Sequence, residues 1–241
     1  MPVSSLRQRH LQPEIMDQPG IDAGDHHRAL DAIARLNLFS ASSQILWPTI
    51  RRLCKERRKA GDDRPVRVLD IASGAGDVPA RLWRRAKRKG IPLEVAGSDV
   101  SPLAVEHGRK WAAAAGADVE FFQLDVLSDA VPEGYDVLTS SLFLHHLTEE
   151  QAVLVLGKMR AAAGRLALVN DLSRGRLGWW TAYLATRALV RSPMVWVDSL
   201  LSVEGAFTPE EALALADKAG WDGATVKRKF PFRYLLSWRR P

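Results

Sequence analysis

The period of hydrophobic positions changes along the chain and divides it into parts. From Asp25 a helical period runs through Leu30, Ile33, Ala34 and Leu36, and a second helix is predicted from Ser42 to about Arg58, with Ile45, Leu46, Ile50 and Leu53 inward. Gly61-Asp62-Asp63-Arg64-Pro65 then interrupts the pattern. Beyond it, short apolar runs alternate with helical stretches. Val66–Ile71, Glu94–Asp99, Val119–Leu124, Tyr135–Ser140 and Arg165–Asn170 read as strands. Helices are expected from about Val78 to Lys89, from Ser101-Pro102 to Ala115, and over Glu149–Ala162 behind a Thr148 cap. Such alternation predicts a parallel sheet covered on both faces. Residues 171–206 break the rhythm with a run rich in Trp179, Trp180, Tyr183 and Trp196. It resumes with a helix opening at Thr208-Pro209 and ending near Gly220. The last two strands, Ala224–Lys229 and Tyr234–Arg239, are too close for a helical crossover and are expected to pair antiparallel.

Composition narrows the class. The chain has 241 residues, 46% of them hydrophobic and 26% charged, the balance of an ordinary globular protein. Its single cysteine, Cys54, leaves no internal disulfide and no cysteine-based zinc site, and no metal site is expected. The apolar runs, such as Leu142–Leu144 and Leu166–Val169, are far too short to span a bilayer. The first ten residues are basic without a following apolar segment, so no signal peptide is expected and a cytoplasmic location is. A net charge of +6 raises the question of an anionic partner. The excess sits in Arg51–Lys59 and Arg81–Lys89, in or at the ends of predicted helices, with only Trp83 interleaved. That is the pattern of solvated helix ends more than of a nucleic-acid groove.

The candidate chemistry begins at Val68-Leu69-Asp70-Ile71-Ala72-Ser73-Gly74-Ala75-Gly76-Asp77, a strand, a tight turn and a helix start. Small residues there admit a ligand close to backbone, and the helix start offers N–H donors. Asp70, Asp99 and Asp125 fall at the ends of three successive strands, along the edge where doubly wound sheets bind ligands. A dinucleotide site would want a third glycine, and none occurs between Gly76 and Gly90. Asp70 would also repel a pyrophosphate. It suits a ligand with an amino group and no phosphate, which is the chemistry of S-adenosylmethionine.

These segments resemble class I S-adenosylmethionine-dependent methyltransferases over residues 66–170, and less strongly to 241. Val68–Gly76 resembles the family's first motif with Ala72 in place of its first glycine; Gly97–Lys110 resembles the second-strand segment; Gln123–Val126 resembles the adenine-flanking one. Tyr135–Leu147 is similar to the fourth strand with its His145-His146-Leu147 ending. The flavour is that of the small-molecule branch, similar to quinone-biosynthesis methyltransferases. The resemblance implies an α/β, Rossmann-like seven-stranded, mostly parallel sheet with a C-terminal antiparallel hairpin and an N-terminal helical cap. Residues 1–60 would form the arm and cap, and 61–241 the methyltransferase domain, with a helical lid at about 172–206. It implies that Asp70 orients the methionine amino group, that Ala72, Ser73, Gly74 and Gly76 form the loop, and that Asp99 holds the ribose. Asp125 would take the adenine amino group between Val100 and Val126, with Ser141 under the methionine part.

For the acceptor, His145 and His146 follow the fourth strand and Asp171 the fifth, a candidate base and its orienter. No Asn/Asp-Pro-Pro-aromatic motif follows the fourth strand, and Cys54 lies before the core, where it cannot serve as an RNA cytosine nucleophile. The expected reaction is methyl transfer to a small acceptor, the hydroxyl of an aromatic or polyketide-like compound, with the lid aromatics paving the pocket. The rival readings are an RNA methyltransferase using the basic helices, and a non-catalytic S-adenosylmethionine-binding scaffold.

Overall fold

A computed structural model describes residues 6–15, 42–190 and 192–241; the anticipated helix from Asp25 lies outside them. Strands β1 (Val66–Ile71), β2 (Leu93–Asp99), β3 (Val119–Gln123), β4 (Val137–Ser141), β5 (Leu166–Leu172), β6 (Thr225–Lys229) and β7 (Arg233–Arg239) form one sheet in the order β3-β2-β1-β4-β5-β7-β6. β1 to β5 are parallel, and β7 runs antiparallel to both β5 and β6. The expected seven-stranded Rossmann-like sheet with its terminal hairpin is therefore present.

Most strand ends lie within a residue of expectation, and the two larger shifts have visible reasons. β5 continues past Asn170 because β7 pairs with it to the end, Leu172 opposite Arg233. β4 starts at Val137 because Tyr135 and Asp136 are used outside the ladder: the Tyr135 carbonyl accepts from Gly164 N–H at 2.8 Å, and the Asp136 carboxylate accepts from Arg67 N–H at 2.9 Å and the Arg57 guanidinium at 2.8 Å.

The helices are α1 (Ser42–Lys59), α2 (Asp77–Arg88), α3 (Pro102–Ala114), α4 (Glu149–Ala162), α5 (Arg176–Leu189), α6 (Pro193–Gly205) and α7 (Pro209–Lys218), with a 3-10 turn at Leu144–His146 after β4. Adjacent residues of β1 point to opposite faces, and both faces are covered. Leu69 and Ile71 join Leu138, Ala167, Val169, Leu156, Met159 and Leu215 under α4 and α7. Val66 and Val68 join Leu46, Ile50, Leu53, Val78, Leu82 and Leu168 under α1 and α2. The helix predicted from Ser42 is thus a layer of the sandwich, and it is α5, α6 and the arm of residues 6–15 that cover the carboxyl edge. Thr148 caps α4 and Thr208 caps α7, each in a reciprocal box with Gln151 or Glu211.

Leu156 is fully buried, and its carbonyl accepts from the buried Trp221 indole N–H at 2.8 Å. Leu156→Ala is expected to destabilise the protein by about 2–5 kcal/mol in urea unfolding. A loss below about 1 kcal/mol would show that this layer is not close-packed as described.

Candidate active site

β1 lies between β2 and β4, so the chain leaves it in one direction and returns on the other side, opening a crevice at the carboxyl ends of β1 and β4. A cavity of about 800 Å³ occupies this place. Its floor is the turn after β1. Ala72 and Gly74 are both left-handed there, with φ of 53° and 51°, and an added Cβ at Gly74 would meet nothing within 4 Å. The loop is therefore open on the side that faces the cavity. Ala72 holds a conformation that costs a non-glycine residue about 1 kcal/mol or more.

Carboxylates dominate this end. Asp70, fully buried, accepts from the Thr139 hydroxyl across β1–β4 at 2.6 Å. Burial, reinforced by Asp77 and Asp99 and only partly offset by the hydroxyls of Thr139 and Ser73, pushes its carboxyl up to about 7. Asp99 accepts from Gly74 N–H at 2.8 Å and from Ser101 N–H at 3.0 Å, one bond to each oxygen. Carboxylates outnumber the buried Arg233 in the lining, and Asp77 is paired with Arg81 at 3.3 Å, so a ligand bringing an ammonium, a second cationic centre and ribose hydroxyls fits the set better than a pyrophosphate does. Apolar walls continue from it: Val100, 57% exposed, with Leu124 and the buried Val126. The buried Ser141 hydroxyl borders the same space and has no hydrogen-bond partner among the described residues.

The other end is built from the turn after β4, the end of β5, the arm and α6. His145 Nδ1 lies 2.6 Å from Asp171 Oδ1, and Asp171 also accepts from the His145 and Leu172 backbone N–H groups. On the opposite side His145 Nε2 faces Glu14 Oε1 at 3.7 Å, and His146 Nε2 faces the same oxygen at 3.9 Å. Ser202 donates to Glu14 Oε1, and Asp198 accepts from Ile15 N–H at 2.8 Å. Burial opposes a charge on His145, but Asp171 and Glu14 outweigh it and raise its pKa to about 10. Burial would likewise raise Glu14 and Asp171, and their histidine partners hold both below the usual carboxylate range. The atoms of Glu14, His145 and His146 that could ligate a metal lie within 4.8 Å of one another. They are accounted for as an ion-pair cluster with His145 protonated between two carboxylates.

Most of the anticipated residues meet at the cavity: Asp70, Ala72, Ser73, Gly74, Asp99, Val100, Asp125, Val126, Ser141, His145 and His146 all line it. Gly76 does not. It faces the packing between α2, α3 and β3, where an added Cβ would lie 2.6 Å from Gly108 Cα and 2.9 Å from the Phe121 ring. Asp125 borders the cavity but spends its carboxylate on Leu127 N–H at 2.9 Å and the Ser128 hydroxyl at 3.0 Å. Asp171 sits behind His145 and outside the lining. The lid aromatics differ from expectation too. Trp179, Trp180 and Tyr183 pack on one another, and the lid lines the cavity with Gly178, Thr181, Ala182, Ala185 and Thr186. Glu14 is the residue the sequence concealed, since nothing near Pro13-Glu14 marks it. Asp198 and Ser202, four apart on an otherwise apolar α6, carried a readable signal.

A doubly wound sheet with a carboxylate-lined crevice at its switch point has the ligand-binding architecture of this fold class. Residues 68–163 match the family model described as a methyltransferase domain. The chain is 33% identical over 139 residues, 55% of its length and 57% of the relative's, to a demethylmenaquinone methyltransferase of Thermus thermophilus. Its matched part spans about half the length of the curated methyltransferases it resembles. Among solved structures it is similar to magnesium protoporphyrin IX methyltransferase from Synechocystis PCC 6803 with bound SAH, at TM-score 0.57 and 16% identity, covering 90% of this chain and 97% of that one. It is also similar to the CurJ carbon methyltransferase, at TM-score 0.64 and 14% identity, covering 91% and 61%. Residues 68–163 thus carry a methyltransferase domain of the kind that uses S-adenosylmethionine, and the solved neighbours share its fold.

Asp99→Ala is expected to weaken S-adenosylmethionine binding by about 1.5–3 kcal/mol in calorimetry, through loss of a charge-assisted ribose contact. Unchanged affinity would remove Asp99 from the ribose site. A pH effect follows from His145, which faces Asp171, Glu14 and His146. Its folded pKa of about 10 lies above the ordinary 6.5, so its contribution to stability is complete below 6.5 and is lost as pH rises towards 10. The melting temperature should therefore fall across this window, and His145→Gln should flatten that part of the profile. Equal slopes for both proteins would mean that His145 is not held charged.

Proposed function

We propose that this protein transfers the methyl group of S-adenosylmethionine to the hydroxyl of a small aromatic or polyketide-like acceptor. The observation that carries the reading is the continuity of one cavity from the Asp70–Asp99 cradle to the Glu14–His145–His146 cluster beneath α5 and α6. S-adenosylmethionine, when bound, supplies a methyl group already activated on a sulfonium. The protein's tasks are then to align the acceptor, exclude water and remove a proton. Asp70, Asp99, Val100, Val126 and Ser141 are assigned to holding the cofactor, with Asp125 at its adenine end. Thr181, Ala182 and Ala185 leave room for a flat ring beneath the lid.

His146, partly exposed to the cavity, is assigned as the group that takes the acceptor proton at Nε2. His145 and Asp171 are assigned to positioning: a histidine kept charged between two carboxylates is a poor base, but it fixes the turn and the Glu14 carboxylate opposite His146. A relative named for a quinone-type acceptor supports the small-molecule branch. The RNA reading has less support. The basic last turns of α1 (Arg57, Arg58, Lys59) and α2 (Arg85, Lys87, Arg88) lie at the amino-terminal edge of the sheet, opposite the cavity. Arg57 is also already bound to Asp62 and Asp136.

The test is turnover of hydroxylated naphthoquinones and phenols with S-adenosylmethionine, read by S-adenosylhomocysteine release and by the position of a deuterated methyl in the product. His146→Ala is expected to lower turnover by about 10²-fold or more with cofactor affinity intact. Label on ring carbon would overturn the hydroxyl assignment. Tight cofactor binding without turnover of any acceptor would favour the scaffold reading, and an absence of cofactor binding would sink the proposal.

A further inference from the structure

The lid helix α5 has two apolar sides. Gly178, Thr181, Ala182 and Ala185 turn towards the cavity, while Leu177, Trp180 and Leu184 recur at the spacing of one face and are exposed to 70%, 46% and 63%. The turn between β6 and β7 extends this outer face. Phe230 is 88% exposed, and a Cβ added at Gly178 would lie 3.2 Å from Phe232 Cβ, which sets the start of α5 against that turn. No described helix is long and apolar enough to cross a membrane.

Among the described residues, the exposed charges around the patch are basic once the Arg228–Glu210 ion pair is set aside. Within 171–206 the acidic residues are buried (Asp171, Asp198) or half-buried and bonded to an indole (Glu204 to Trp179 Nε1–H at 3.0 Å), whereas Arg176 and Arg187 are exposed. Lys227 and Lys229 add to them on β6 beside Phe230, where Arg228 is paired with Glu210. Arg187 lies over the Tyr183 ring at 3.7 Å, so its charge is held beside the aromatic group. Leucine, tryptophan and phenylalanine flanked by arginine and lysine are what a helix needs to lie in the interface of a negatively charged bilayer.

We propose that the outer face of α5, together with the β6–β7 turn, docks on an anionic lipid surface. The geometry gives docking a use. Thr181, Leu189 and Phe232 line the cavity and are themselves exposed, so the cavity opens on the side that would meet the lipid, where an apolar acceptor partitions. That use rests on the methyl-transfer reading; the docking does not.

The experiment is co-sedimentation of the full chain with vesicles of phosphatidylcholine and phosphatidylglycerol, against phosphatidylcholine alone. Binding should be roughly tenfold stronger to the mixed vesicles and should weaken with salt. Leu177→Glu, Leu184→Glu and Phe230→Glu, singly and together, should lower it, the triple variant by about tenfold or more, with calorimetric S-adenosylmethionine affinity unchanged. Wild-type protein left in the supernatant, or variants that sediment like it, would overturn the proposal. So would a lipid-free dimer in light scattering that the same variants dissolve, because a second copy would then cover the face. A chain that sediments with vesicles but binds no S-adenosylmethionine would overturn the methyl-transfer reading and leave the docking standing.

Discussion

The hydrogen bond from Thr139 to Asp70 joins the two central strands where the sheet changes direction, and the site depends on what it holds. A fully buried carboxyl that has only hydroxyl partners, Thr139 and Ser73, and two acidic neighbours carries an uncompensated electrostatic cost. Asp70 and Asp99 place that cost in the lining of the crevice, where a pyrophosphate would add to it.

At the far end of the cavity the carboxylates have a cationic partner. Glu14, His145 and Asp171 come from the arm, the turn after β4 and the end of β5, and a protonated His145 bridges the two carboxylates. The two ends of the cavity therefore differ in how their acidic groups are met: by hydroxyl and backbone donors around Asp70 and Asp99, and by a histidine around Glu14 and Asp171.

Much of this was legible in the residues. The strand–turn–helix at Val68–Asp77, the acids at successive strand ends and the His145-His146 turn are local patterns, and local patterns survive in sequence. The pairing of His145 with Asp171 was legible too, since adjacent strand ends lie side by side. What was not legible is the contact of Glu14 with residues some way along the chain, which depends on how the arm is laid over the edge. Nor was the orientation of the lid aromatics. A helix with small residues on one side and large ones on the other can present either inward, and here crowding over the cavity favours the small side. Gly76 had the opposite fate: its spacing suggested ligand contact, while its neighbours Gly108 and Phe121 make it a packing glycine.

Arg9 brings the arm, the histidine turn and the lid to one point. Its guanidinium donates to the carbonyls of His145 and Leu147 at 3.0 and 2.6 Å and to that of Gly205, at the end of α6, at 2.6 Å. One planar cation thereby rivets three chain segments that are distant in sequence. The end of α6 and the histidine turn are therefore tied together through main-chain carbonyls, independently of the side chains that meet in the cavity.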